Sequence, residues 1–275
     1  AVQGGRSVYR QHASTMRVYL GYRHEFDDVE VERRDYGVLQ VGTTFVHHRY
    51  RQLRWIDHER PVDVNLGAES GLWFGYAVRN ESTRQGDTFF VAANHSQGLA
   101  FGDSRMVLAN VSWASRVRGG RAENGTLRAR LLFADYTLRR QVLLVQGRIV
   151  WGVNLDPEVQ VKLGAASGLR GYRVNEFVGD RSGLLSAEHR WFFAEDVLGL
   201  VSLGIAGFID SGYAWPRGVP ASIRDMRSNV GLGLLIGRKQ VSTANAGMRI
   251  DMAYALDPVP GQSRWVLSFG TSHGF

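Results

Sequence analysis

Cysteine is absent from the chain. Disulfides, thiol catalysis and Cys-ligated metals are excluded with it, and the absence suits an envelope protein that crosses an oxidising compartment unfolded. Lysine is nearly missing: Lys162 and Lys239 are the only two, so the formal charge of +7 rests on arginine. Those arginines are spaced two apart along the chain instead of forming a basic block, which argues against a nucleic-acid partner and for a wet lumen or anionic lipid headgroups. No run of 18 apolar residues occurs, so no transmembrane helix is available. The opening stretch, Ala1 to Gln11, is polar and Arg-bearing. It is not a signal peptide, and a mature terminus is expected.

What is present is alternation. Trp265, Leu267, Phe269, Thr271, His273 and Phe275 share one parity, and Arg264, Val266, Ser268, Gly270, Ser272 and Gly274 share the other. Successive strand residues point to opposite faces, so one face of this segment is largely apolar and the other small or polar. The same period recurs in Met16 to Tyr22, Val62 to Ala68, Val107 to Trp113, Leu127 to Phe133, Val145 to Trp151 and Met248 to Tyr254. Twelve runs are expected, near 14–24, 37–49, 61–73, 87–98, 104–117, 125–138, 141–154, 182–193, 197–210, 228–238, 246–256 and 263–275. Most are ten residues or longer. Soluble strands average roughly 5–6 residues, whereas tilted membrane strands need roughly 9–11.

These runs predict an all-β fold, a transmembrane antiparallel β-barrel of about twelve strands spanning 14–275, preceded by an N-terminal extension over 1–13. Trp73, Trp151, Trp191 and Trp265 fall at or near strand ends, where interfacial aromatics belong. Connections near 25–36, 74–86, 118–124, 155–181, 211–227 and 257–262 alternate with mostly shorter ones, as long outer loops alternate with periplasmic turns. An even strand count puts both termini in the periplasm.

Three linked motifs point to a family. The longest loop, 155–181, carries Leu169-Arg170-Gly171-Tyr172. Gly179-Asp180 follows, then Glu188 and Arg190 on the next strand, then a strand containing Phe208, Asp210 and Gly212. This series resembles the superfamily of BamA, TamA, FhaC and the bacterial surface antigens over roughly 165–275. The hallmarks there are an RG(F/Y) loop tip, a GD…E-x-R strand and an F-x-D-x-G strand. The resemblance implies a shortened member, with seven strands before the loop where the family has eleven, and without POTRA domains. It also implies a loop folded into the lumen. Glu188, Arg190 and Asp210 share the lumen face by parity. Two carboxylates in a confined space need a cation, and the planar fork of Arg170 suits them, while Gly171 permits the tight tip.

Ser268, Gly270, His273 and Phe275 resemble the C-terminal sorting signal read by the barrel-assembly machinery. His273 departs from it by standing where an aromatic or aliphatic residue is usual. The implied setting is the outer membrane of a Gram-negative bacterium, with outer-membrane lipid, lipopolysaccharide and unfolded client proteins as partners.

Catalytic and metal sites are weaker. His12-x-Ser14 has the spacing of the outer-membrane phospholipases but lacks their surrounding sequence. Asn94-His95-Ser96 sends neighbours to opposite faces, as does His47-His48. Gly119-Gly120 makes no phosphate-binding motif. No enzyme activity, cofactor or metal is expected. The expected function is insertion, assembly or translocation of proteins through a lateral seam between the first and last strands. The alternatives are a barrel anchor of a larger envelope protein, or a passive, anion-favouring pore lined by Arg17, Arg23, Arg128, Arg130 and Arg148.

Overall fold

The computed structural model describes the backbone of residues 2–11, 13–29, 32–53, 62–80, 87–197, 201–238 and 247–271. The alternating runs become strands: β1 (Val2–Gln11), β2 (Ser14–Val29), β3 (Glu32–His47), β4 (Tyr50–Leu53), β5 (Val62–Asn65) and β6 (Ala68–Asn80). Next come β7 (Thr88–Phe101), β8 (Arg105–Arg118), β9 (Arg121–Asp135), β10 (Gln141–Val153), β11 (Val161–Leu163) and β12 (Phe177–Gly179). The last five are β13 (Arg181–Val197), β14 (Val201–Trp215), β15 (Arg227–Arg238), β16 (Gly247–Ala255) and β17 (Trp265–Thr271). Thirteen of them pair as one antiparallel meander in the order β1-β2-β3-β6-β7-β8-β9-β10-β13-β14-β15-β16-β17. The small pairs β4–β5 and β11–β12 hang from the connections. No pairing joins β1 to β17 among the described residues.

Parity sorts the side chains as the alternation requires. On β14, Ala206 and Asp210 are buried while Ile205 and Ile209 are exposed. The outward row continues across the sheet through Leu131, Ile149, Leu185, Leu232, Met252 and Leu267, all exposed, with Leu232 at 65%. The opposite face is concave. Arg249 on β16 reaches back to Glu188 on β13, and Arg118 on β8 reaches Tyr36 on β3. The charged side chains of the strands thus gather on the inner face, beside its buried apolar clusters, and large apolar side chains of the other parity point outward.

Three expectations are corrected. Residues 1–13, placed in an extension, contain β1, whose Val2 pairs with Tyr22. With this strand added, the first described residue lies level with the middle of β2 instead of at the short-turn end.

The run expected over 61–73 is two elements. Leu66 is buried beside Met106, Leu132 and Val142, and a Cβ on Gly67 would stand 1.7 Å from the His47 carbonyl oxygen. The chain therefore bends at 66–67. β4 and β5 fold against one end of the sheet, where Arg51 donates to the Gly102 carbonyl at 2.8 Å and to Asp103 at 3.1 Å. The bend moves the long strand to Ala68–Asn80 and turns Trp73 inward, its indole filling the space over Gly42 and Gly71, instead of to a strand end.

Two expected outer loops are tight. The β2–β3 ladder continues to Val29 and Glu32. β8 and β9 are joined by Gly119 and Gly120 alone, both at positive φ (54° and 74°), the two-residue hairpin that demands glycine.

Candidate functional site

The connection between β10 and β13 folds its middle back against the sheet. β11 pairs with β12, a single 3-10 turn covers Ala165–Ser167, and the chain reverses through Gly168 at φ 99°. Leu169 and Tyr172 are fully buried with Leu163, Leu184, Ala214 and Ala255 against the concave face. Between those two anchors stands Arg170.

Arg170 is clamped by two strands. Its Nε and Nη2 donate side-on to the two oxygens of Asp210 on β14, at 2.9 and 2.7 Å. Its Nη1 donates to Glu188 on β13. Its guanidinium lies over the Phe208 ring, 3.5 Å from the centroid. Bidentate pairing and a stacked aromatic are contacts a lysine would not reproduce. Burial works against the charge of Arg170, and the two carboxylates more than offset it, so the guanidinium is held protonated well beyond its ordinary range.

Register explains why these groups meet. Ser186, Asp210 and Asn229 lie in one row across β13, β14 and β15. The Ser186 hydroxyl and the Asn229 amide both donate to Asp210, at 2.6 and 2.9 Å. The next row holds Glu188, Phe208 and Gly231. A Cβ on Gly231 would stand 2.3 Å from the Phe208 ring, so the ring occupies the space the glycine leaves.

Glu188 is shared further. Arg190 donates to it at 2.6 Å, and Arg249 reaches it at 3.1 Å while also holding Asp251 at 2.8 Å. Gly233 clears the path for that reach: a Cβ there would lie 2.3 Å from Asp251. Three guanidinium groups, Arg170, Arg190 and Arg249, thus meet three carboxylates, Glu188, Asp210 and Asp251. Buried charges survive when paired and hydrogen-bonded in this way.

Tyr172 closes the loop on its other side. Its hydroxyl lies 3.0 Å from both the Ser228 and the Asp257 carbonyl oxygens. With one proton to donate, it shares it between them. Burial, reinforced by the charge of Asp257, pushes this phenol up to about 12.

The other expected motif residues are structural neighbours of the clamp. Gly179 passes so close to the Trp215 carbonyl that a Cβ would sit 1.8 Å from its oxygen, and the Asp180 amide donates to that same carbonyl at 3.0 Å. A Cβ on Gly212 would approach Leu163 and Leu184 at 3.0 Å, so Gly212 seats the loop's apolar underside. Ser268 and Gly270 line the inner cavity from β17. His273 and Phe275, the end of the expected sorting signal, lie outside the described residues, as does His12.

Sequence reading missed Ser186, Asn229, Arg249 and Asp251, although Arg249 and Asp251 already stood on the polar parity of their strand. It also missed two hydroxyl–imidazole pairs. Ser14 Oγ lies 3.0 Å from His47 Nδ1, and Ser70 Oγ lies 2.8 Å from His95 Nδ1. Both join directly opposed residues of neighbouring strands on the outward face. Asn94 and Ser96, adjacent to His95 in sequence, take no part. The chain matches no protein-family profile and no curated protein.

Proposed function

We propose that this chain is an outer-membrane β-barrel of the BamA, TamA and FhaC type, closed on itself in the bilayer, that assists insertion or translocation of unfolded client proteins. The observation that carries this reading is Arg170 in the long loop, bridging Glu188 of an E-x-R strand and Asp210 of an F-x-D-x-G strand. Four-residue motifs recur by chance. Three motifs whose side chains converge on one clamp are far more restrictive.

The apolar outward face supports the membrane setting. Leu185, Leu232, Leu267 and Phe269 would each be costly to leave in water, and a bilayer covers such a face on every strand. The lipid of the outer membrane, lipopolysaccharide included, is then the surrounding solvent. The work needs no covalent chemistry. A loop locked to β13 and β14 fixes that part of the wall, leaving the edges formed by β1 and β17 as the place for a lateral seam.

The test is client insertion. The chain in liposomes should speed the folding of a small unfolded outer-membrane barrel at least several-fold over empty liposomes, and Arg170→Ala should abolish the gain. Equal rates with and without the protein would reject the assembly reading. Ion conductance without any such acceleration would instead favour a passive, anion-favouring pore, a reading supported by Arg128, Arg130 and Arg148 sharing the inner parity of β9 and β10.

A further inference from the structure

The three carboxylates of the clamp are fully matched by Arg170, Arg190 and Arg249. Two further arginines enter the same cavity of about 460 Å³, and neither has a carboxylate partner among the described residues: Arg130 on β9 and Arg148 on β10. They are directly opposed in the antiparallel ladder, which holds their Cα atoms roughly 4.5–5.5 Å apart. Like charges set opposite each other are destabilising, and here they are also half-buried.

The contacts each arginine does make hold it in place without neutralising it. Arg130 Nε donates to the Gln146 side-chain oxygen at 2.8 Å. Arg148 Nη2 donates to the Ser167 carbonyl at the tip of the long loop. Gly168 follows at φ 99°, where a Cβ would stand 2.7 Å from that same Nη2. Each guanidinium has five N–H donors, so most donors of both remain for something else. Glu69 lines a neighbouring cavity of about 260 Å³ that Arg130 also borders, and it makes no ion pair with Arg130.

We propose that Arg130 and Arg148 form a binding site for a phosphate-bearing anion. Two planar forks, pre-oriented by Gln146 and by the loop carbonyl, would take the oxygens of one tetrahedral phosphate between them. The anion relieves the cross-strand repulsion that the fold leaves standing. Because Arg148 also holds the loop tip, the bound anion couples to the position of the loop that carries Arg170. The phosphate can be free in solution or borne by a lipid headgroup. The site is independent of whether the chain inserts clients, since its test measures binding alone.

The experiment titrates inorganic phosphate into the full chain in a zwitterionic detergent, followed by calorimetry. One saturable site is expected, weakened at least tenfold by Arg130→Gln and by Arg148→Gln, and unchanged by Arg224→Gln, an exposed arginine that lines no part of this cavity. A second arm places the chain in phosphatidylcholine vesicles with and without phosphatidylglycerol and reads the unfolding temperature. A rise with phosphatidylglycerol that vanishes in Arg130→Gln identifies a headgroup as the source. A response to inorganic phosphate alone identifies the free anion. If Arg148→Gln fails to fold through loss of its loop contact, Arg130→Gln, which holds no loop residue, decides. No binding in either arm, or binding that survives Arg130→Gln in both, overturns the site.

Discussion

Gly171 and Asn229 are in closer contact than any other residue at position 171 would allow. A Cβ on Gly171 would lie 2.4 Å from the Asn229 Cβ. Asn229 is itself fixed by its bond to Asp210, the carboxylate that holds Arg170. The loop tip and the clamp are therefore positioned by the same strand residue, and neither shifts alone.

Gly171→Ala should lift the tip away from β15. The expected cost is about 1–3 kcal/mol, the range for overfilling a packed site. Limited proteolysis within 155–181 should accelerate while the far strands stay protected. A loop equally resistant in the variant would mean that the tip has room the structure does not show.

Arg170→Ala leaves Glu188 with two arginines but strips Asp210, which is completely buried, of its only ion-pair partner among the described residues. Removing one partner of a buried pair costs about 3–5 kcal/mol. The double variant Arg170→Ala with Asp210→Asn should recover part of that loss, because the carboxamide carries no charge. Urea unfolding of the four proteins closes the cycle. Additive losses would show that the pair is not coupled.

Tyr172→Phe should cost about 0.5–1.5 kcal/mol, the net value of one hydrogen bond. The pH dependence is more specific. The folded phenol is raised to about 12 from its ordinary value near 10, so the unfolded chain releases this proton first. Its contribution is fully present below pH 10 and is lost as the pH rises from 10 towards 12. Unfolding followed between pH 9 and 12 should show this loss in the native chain and a smaller one in Tyr172→Phe. Parallel curves would place the titration elsewhere.

Leu232→Arg tests the membrane reading without touching the clamp. Leu232 is outward and exposed, so in water the change should be nearly neutral. At the middle of a bilayer an arginine on the lipid face costs about 2–4 kcal/mol. Folding yield into liposomes should fall. An unchanged yield would remove this face from the lipid.

Much of the architecture was legible in the residues alone, because period-two alternation is a local property. The main-sheet strands from β7 onward begin and end within a few residues of the expected runs, and five of them follow the Arg-Gly loop, whereas the short pair β11–β12 inside that loop was not expected. The shared parity of Glu188 and Arg190 needs no fold to be seen. Where local rules failed, they failed at contacts between distant segments. Val62 to Ala68 alternates well, yet the chain bends at 66–67 because Gly67 packs under the His47 carbonyl and Leu66 enters a core assembled from β8, β9 and β10.

The same division separates the candidate sites. Composition and spacing determined that the chain is a long-stranded β protein with arginine on its polar face, since each strand carries its own pattern of exposure. Which arginines are neutralised and which stand unpaired was decided only by register and curvature. Arg249 reaches Glu188 across two intervening strands, over Gly233, while Arg130 and Arg148 meet each other. Charge pairing depends on distance in space, and in a sheet that distance is set by which strands lie side by side and by the bare backbone of the glycines between them.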